Sequence, residues 1–203
     1  MITPILLAAG ASRRMGRPKA LLEFGEKTCL EGGLLAVGGL GTPIVVLGPD
    51  RAEIEARIPL GGVRVAVNPV PESGQTASLK AGLALLPPEE EGFLVLPVDF
   101  PLVFRSDVER LVAAFEREGP SGRPMVVPSH RMKRGHPLVC RQALAAEFLA
   151  LPETATAREV LGADPRRMVY VLFDEEYVLL DMDTPEDYRR CLRAFRRRSG
   201  SAG

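Results

Sequence analysis

The sequence predicts an α/β fold, an open and mostly parallel sheet with helices on both faces. Two observations predict it. Short apolar runs rich in β-branched residues alternate with segments of helical periodicity. Several of those runs are continuously apolar, as strands covered on both faces must be. The 203 residues suit one such domain, expected over residues 1–198, with 199–203 as a frayed tail.

The first strand is expected over Pro4 to Ala9, with Pro4 at its start, where a missing donor is tolerated. Further strands are expected at Pro43 to Leu47, Val63 to Val67, Phe93 to Pro97 and Met125 to Pro128. Between them, Ala52 to Arg57, Thr76 to Leu86 and Asp107 to Glu118 have helical spacing. Val108, Leu111, Val112 and Phe115 share one face of the last, and Ser106 suits its N-cap. After residue 130 the rhythm changes. Pro137 to Cys140 reads as a short strand and Gln142 to Leu151 as a helix. Met168 to Phe173 and Tyr177 to Met182 read as two strands around an acidic turn, a small antiparallel element near the C-terminal half. Pro185 opens a final helix that runs to about Arg198.

Composition excludes several classes of function. The chain carries 26 Lys+Arg against 26 Asp+Glu, so no global field draws it to nucleic acid or an anionic membrane. The arginine cluster Arg189, Arg190, Arg193, Arg196, Arg197 and Arg198 reads as a solvated helix face, with no nucleic-acid module beside it. Cys29, Cys140 and Cys191 lie far apart, an odd number without metal spacing, which argues for a reducing compartment. The apolar run at Ile5 to Ala9 is too short for a signal peptide, and its positive charges follow it. A cytoplasmic protein is expected.

Two segments point to chemistry. Residues 7–19 read LAAGASRRMGRPK. Small side chains after a strand let backbone N–H groups converge on an anion, and Arg13, Arg14 and Lys19 supply cations. Ligands of open α/β sheets bind beyond the carboxyl ends of strands, where this segment falls. Neither a Walker P-loop nor the dinucleotide fingerprint is present. A basic surface turn is the alternative. Residues 95–102 read VLPVDFPL, an apolar strand ending in Asp99 between two prolines. A carboxylate there suits a magnesium ligand, or else caps the following turn.

A third segment, LDMDTPEDY over residues 180–188, places Asp181 and Asp183 on one face if the chain is extended. Two such carboxylates repel unless a cation lies between them. The same run is also good helix-start grammar, with Asp183 or Thr184 as N-cap and Pro185 as first residue.

LAAGASRRMGRPKALL resembles the signature of the nucleotidyltransferases that make dinucleotide forms of the molybdenum cofactor. The broader group includes sugar-nucleotide pyrophosphorylases and cytidylyltransferases. VLPVDFPL and the acidic 180–188 segment are similar to the same family, and the likeness runs from residue 3 to about 192. The resemblance implies a three-layer Rossmann-like sheet of the nucleotide-diphospho-sugar transferase type. It implies that Leu7, Ala8, Ala9, Gly10, Ala11 and Ser12 contact base and phosphates, and that Arg14 and Lys19 bind phosphate oxygens. It makes Asp99 a Mg2+ ligand, with Asp183 and Asp181 as further candidates. It sets the loop bearing Gly74, Gln75, Thr76 and Ser78 over the nucleobase, although Gln75 departs from the family's usual Gly-Met, and it makes Asn68, the family's asparagine at a strand end, a nucleotide-binding residue. It puts His136, in Gly135-His136-Pro137, near the acceptor.

The implied reaction is nucleotidyl transfer. An acceptor phosphate, molybdopterin or molybdenum cofactor, attacks the α-phosphorus of a nucleoside triphosphate, and pyrophosphate leaves. Catalysis would fall to Arg14, Lys19 and Asp99. The family's guanylyl enzymes tend to read Leu-Ala-Gly-Gly and its cytidylyl enzymes Leu-Ala-Ala-Gly. Leu7-Ala8-Ala9-Gly10 therefore favours CTP. A molybdoenzyme or its chaperone is the expected receiver of the product. The alternatives are a GTP-using enzyme, a sugar-phosphate transferase and an inactive nucleotide-binding regulator.

Overall fold

A computed structural model describes residues 1–10, 15–70, 74–152 and 154–200. Ten strands and seven helices are described among them. The strands are β1 (Ile2–Ala8), β2 (Glu23–Phe24), β3 (Lys27–Thr28), β4 (Ile44–Leu47), β5 (Arg64–Val67), β6 (Gly92–Pro97), β7 (Met125–His130), β8 (Lys133–Arg134), β9 (Leu138–Arg141) and β10 (Met168–Leu172). The helices are α1 (Cys29–Ala36), α2 (Arg51–Arg57), α3 (Gly74–Leu83), α4 (Arg105–Glu118), α5 (Leu144–Ala150), α6 (Ala157–Gly162) and α7 (Pro185–Gly200).

The main sheet has the order β10-β7-β9-β6-β1-β4-β5, with β8 paired to β7. Strands β5, β4, β1 and β6 pair in parallel, as do β7 and β10, while β9 runs antiparallel to both of its neighbours. β1 is central and buried along its whole length. Its alternate side chains feed two cores, because successive residues of a strand face opposite ways. Leu6 and Ala8 pack with Leu30, Leu111 and Phe115 from α1 and α4, and Ile5 and Leu7 pack with Leu79 and Phe148 from α3 and α5. Helices therefore cover both faces, and the three-layer, mostly parallel architecture expected from the sequence is present. No described helix is long and apolar enough to cross a membrane. All three cysteines are free and buried.

Three helix–sheet details differ from expectation. α1 is an element the periodicity did not announce, since Gly32 and Gly33 dilute its pattern. Its start is nonetheless encoded: the Thr28 N–H donates to the Glu31 carboxylate at 2.8 Å, and the Glu31 N–H donates to Thr28 Oγ1 at 3.2 Å. Gly33 is useful there, because a Cβ would lie 3.0 Å from Leu6 and hold the helix off β1. α6 was missed too. Its start is marked by Thr156, whose N–H donates to the Glu159 carboxylate at 3.1 Å. Ser106 is not the cap of α4. The helix begins at Arg105, and Asp107 reaches back to accept the Phe104 N–H at 2.8 Å.

Tyr177 to Met182 is not a strand. Glu176–Leu179 is a 3-10 turn, and the chain then runs extended without a ladder partner. The alternation behind the strand reading is real, since Val178, Leu180 and Met182 are all buried. The backbone, however, bonds to loops: Val178 C=O accepts from His136 N–H at 3.0 Å, and Met182 N–H donates to Asp99 C=O at 3.0 Å. An extended segment with period-2 burial needs no neighbouring strand if loops satisfy its polar groups. The small antiparallel elements are instead the β2–β3 pair and the β7–β8 hairpin.

The arginine cluster of α7 is not uniformly solvated. The Arg198 guanidinium donates to both Asp107 carboxylate oxygens at 2.6 Å and to the Leu102 carbonyl. It also lies over the rings of Phe104 (4.2 Å) and Tyr177 (3.7 Å). Asp107 is 2% exposed, so Arg198 neutralises a buried carboxylate. Removing one partner of such a pair strands the other charge. Arg198→Met should cost about 3 kcal/mol or more of stability. Arg189→Ala, an exposed change on the same helix, should stay within about 0.5 kcal/mol. Urea unfolding of the two variants checks this, and equal losses would remove Arg198 from the core.

Candidate active site

The parallel strands β1, β4 and β6 end on one edge of the sheet, and a cleft opens there. Among the described residues its floor is the end of β1 and the turn after it, Leu7, Ala8, Ala9 and Gly10. One wall is the start of α3 with Gly74, Gln75 and Ser78, and the opposite side holds Lys19 and Asp99. Nine residues expected at the site from sequence thus line one cleft. Ala11, Ser12 and Arg14 lie outside the described residues.

Close backbone packing sets the floor. Gly48, at the end of β4, faces Ala9 so closely that a Cβ would sit 2.6 Å from the Ala9 carbonyl oxygen. Only glycine fits beside the strand end there, a requirement that sequence reading missed. Gly82 has the same role on α3, where a Cβ would lie 2.5 Å from Ile5. It lets the helix bearing Ser78 approach β1.

Asn68 is 5% exposed and does not line the cleft. Its amide Nδ2 donates to Ser78 Oγ at 3.0 Å, and its Oδ1 accepts the Val70 N–H at 3.1 Å. Asn68 thus ties the end of β5 to α3 from below. Thr76 accepts the Ala157 N–H at 3.0 Å, joining α3 to the start of α6.

Charge is concentrated opposite. Lys19 opens a 3-10 turn, Lys19–Leu21, anchored by buried Ala20 and Leu21. Its Nζ donates to Asp183 Oδ1 at 2.6 Å and to Asp99 Oδ2 at 3.2 Å. Asp99 Oδ1 is buried and has no hydrogen-bond partner among the described residues. Burial pushes the Asp99 carboxyl above its ordinary value, Lys19 works against that, and Asp183 and Asp181 add to the rise. For Lys19, the two carboxylates outweigh burial and hold the ammonium above its ordinary value.

Asp183 reaches this point because Met182 N–H is bonded to the Asp99 carbonyl. The helix-start grammar holds as well. Thr184 and Asp187 exchange bonds at the head of α7, with Thr184 N–H to Asp187 at 3.0 Å and Asp187 N–H to Thr184 Oγ1 at 3.2 Å. Thr184 caps the helix, which leaves Asp183 to Lys19. Asp181 is half-buried and acts on Asp99 through its charge, and its carbonyl accepts a weak bond from Cys191 Sγ at 3.8 Å.

Among the described residues, no three His, Cys, Asp or Glu side chains converge to hold a metal unaided. The donors present are an orphaned buried carboxylate oxygen on Asp99 and the carboxylate of Asp183. That set fits Mg2+ or Mn2+, which take one or two carboxylates and complete their shells with water and substrate phosphates.

His136 follows Gly135 into a cis bond with Pro137 and leads into β9 beside β6. Its ring packs on Phe100 at 4.5 Å, one residue from Asp99. Burial depresses its pKa to about 4, against a partly opposing hydrogen bond with the Val95 backbone. The ring is therefore neutral near pH 7. An unfolded histidine takes up its proton near 6.5, so the unfolded state binds more protons between the two values. Stability from this group is present above about pH 6.5 and is lost as pH falls towards 4, by roughly 2 kcal/mol after allowance for partial solvent contact. His136→Gln should lose less stability than the native chain between pH 7 and pH 4.5. Urea midpoints at both pH values check this, and equal losses would show a solvated ring.

Residues 4–168 match the family described as the MobA-like NTP transferase domain. The nicotine blue oxidoreductase of Paenarthrobacter nicotinovorans is 32% identical, covering 94% of this chain and 96% of that protein. The molybdenum cofactor cytidylyltransferase of Escherichia coli (strain K12) is 24% identical, covering 91% of this chain and 92% of that one. Among solved structures, Rv0371c of Mycobacterium tuberculosis H37Rv superposes with a TM-score of 0.83 at 28% identity, covering 95% of this chain and 98% of that one. The same protein has been solved in complex with manganese, with a TM-score of 0.79 at 28% identity over 95% of this chain and 97% of that one. With four fifths of its length matched and its site at the strand ends of the expected sheet, the chain belongs to the MobA-like NTP transferase family.

Proposed function

We propose that this chain is a Mg2+-dependent cytidylyltransferase, transferring CMP from CTP to the phosphate of molybdopterin or molybdenum cofactor and releasing pyrophosphate. The observation that supports it best is the convergence of Lys19, Asp99 and Asp183 opposite a small-residue loop at the carboxyl ends of β1 and β6. A family named for NTP transfer supports the reaction class, and similarity to a molybdenum cofactor cytidylyltransferase supports the acceptor and the base.

The residues divide the work as follows. Leu7 to Gly10, continuing into Ala11 and Ser12, offer backbone N–H groups to base and phosphates without side-chain obstruction. Gly74 and Ser78 face the base, and Asn68 keeps Ser78 in place through its 3.0 Å hydrogen bond. Lys19 and Arg14 stabilise charge that grows on the departing pyrophosphate. Asp99 and Asp183, with Asp181 near them, hold the divalent ion, which polarises the phosphoryl oxygens when bound. A bond forms between an acceptor phosphate oxygen and the α-phosphorus, and the bond to the pyrophosphate oxygen breaks. The attacking phosphate is already ionised, so no base is needed. A neutral His136 beside Phe100 then contributes contact with the acceptor, not proton transfer. A molybdoenzyme or its chaperone takes the product, and the reaction belongs to the cytoplasm.

One observation favours a second reading. The higher of the two curated identities, 32%, is to a protein named nicotine blue oxidoreductase. The same cleft would then serve a redox reaction instead of nucleotidyl transfer. Assaying pyrophosphate release from four nucleotides, with and without molybdenum cofactor, alongside oxidation of NADH and NADPH with a blue dye acceptor, separates the two. Turnover with the dinucleotide alone would replace the transferase reading.

Two outcomes follow from the primary reading. Asp99→Asn should reduce pyrophosphate release by about a hundredfold or more, a loss typical of removing a main electrostatic group, while the fold is kept. Full activity in that variant, or in excess chelator, would remove the metal from the mechanism. CTP should also outcompete GTP for one enzyme pool, because the Ala9 methyl narrows the floor against the larger purine. A single methyl contributes about 1–3 kcal/mol of discrimination, so Ala9→Gly should relax the preference only in part. A native preference for GTP would reassign the base.

A further inference from the structure

Lys19 does not project freely into the cleft. Its ammonium lies between two carboxylates, 2.6 Å from Asp183 Oδ1 and 3.2 Å from Asp99 Oδ2. The side chains of Lys19 and Asp99 are only 15% and 25% exposed, so solvent screens that contact weakly. A divalent cation on the same two carboxylates would meet the ammonium at contact distance, with like charges opposed. The two oxygens that Lys19 holds are not open to a second cation in this geometry. Asp99 Oδ1, buried and without a partner, is the part of the carboxylate that Lys19 does not satisfy.

The backbone of Lys19 is fixed by the turn that buries Ala20 and Leu21. Its stem of four methylenes can still swing the ammonium by several ångströms. The cleft floor at Ala9 and Gly10 lies within the same cavity.

We propose that Lys19 is an exchangeable stand-in for the metal: it holds Asp99 and Asp183 together in the empty site, then gives them up to a divalent cation and moves its ammonium onto the triphosphate. This rests on the assignment of Asp99 and Asp183 to a divalent metal. Three consequences follow. Without nucleotide, the metal must displace Lys19 and binds weakly. With a triphosphate present, the displaced ammonium gains new anionic partners and metal binding tightens. Metal and triphosphate are therefore positively coupled, and by linkage each strengthens the other equally. The exchange also spares the metal-free enzyme the repulsion between a largely buried carboxylate, Asp99, and the exposed carboxylate of Asp183.

The test is titration of Mn2+ into nucleotide-free protein, followed by the paramagnetic signal of the free ion. Native, Lys19→Gln and Lys19→Gln/Asp99→Asn proteins are compared, each with and without a non-hydrolysable CTP analogue. Lys19→Gln should bind Mn2+ about tenfold tighter than native when no nucleotide is present, because the competing charge is gone. The double variant should lose that gain. The analogue should tighten Mn2+ binding severalfold in the native chain and much less in Lys19→Gln. Lys19→Gln binding no tighter than native would overturn the exchange, while metal-dependent pyrophosphate release by the native enzyme would leave the transferase reading standing. No Mn2+ binding by any protein, even with the analogue, would overturn both.

A second measurement uses only the native protein, in case the variant is poorly folded. Acetylation of Lys19, read by mass spectrometry, should be slow in the metal-free chain. It should rise severalfold on adding Mn2+ and fall again with the CTP analogue. Labelling unchanged by Mn2+ would equally overturn the exchange.

Discussion

A carboxylate buried at the carboxyl end of an apolar strand is the constraint on which the site depends. Asp99 follows Pro97 and Val98 out of β6, and one of its oxygens is buried with no hydrogen-bond partner among the described residues. A charge so placed requires a cation nearby. The chain supplies one from Lys19, 80 residues earlier, and then brings a further carboxylate from Asp183. A main-chain bond from Met182 N–H to the Asp99 carbonyl helps to fix that second acid. Three segments far apart in sequence are thus held together by charge, by that backbone contact and by the buried apolar cluster that includes Leu22, Leu102, Leu180 and Met182.

The sheet makes the convergence possible. Parallel pairing of β4, β1 and β6 ends all three strands on the same edge, and the turns after β1 and β6 share one cleft there. The antiparallel β9 enters beside β6 and delivers His136 to the same edge from the other direction. Two glycines set the tolerances. Gly48 allows β4 to end against Ala9, and Gly82 allows α3 to settle on Ile5. The Asn68–Ser78 bond fixes the resulting wall. A similar electrostatic device anchors the last helix, where Arg198 neutralises Asp107 at the head of α4.

Much of the fold was legible because its signals are local. Continuous apolar runs marked the buried strands β1, β4 and β6, and heptad-like spacing marked α4. Elements whose signals are diluted or borrowed were not legible. α1 contains two adjacent glycines in eight residues, and α6 spans six residues. Val178, Leu180 and Met182 bury like a strand, yet loops satisfy their backbone. Arg198 looked like its exposed neighbours because nothing local reveals Asp107 beneath it.

The sequence by itself determined the kind of sheet, and it pointed to the small-residue segment after β1 and to Lys19, Asp99 and Asp183 as candidates. Periodicity, turn chemistry and residue type are properties of short segments, so they can be read without coordinates. Only the tertiary structure decided which of those groups meet. It placed Lys19 on the carboxylates, turned Asn68 into a support for Ser78, and reserved Thr184 for the α7 cap so that Asp183 could meet Lys19. Those outcomes depend on distances between segments up to 164 residues apart. Packing and buried charge set those distances, and no local pattern encodes them.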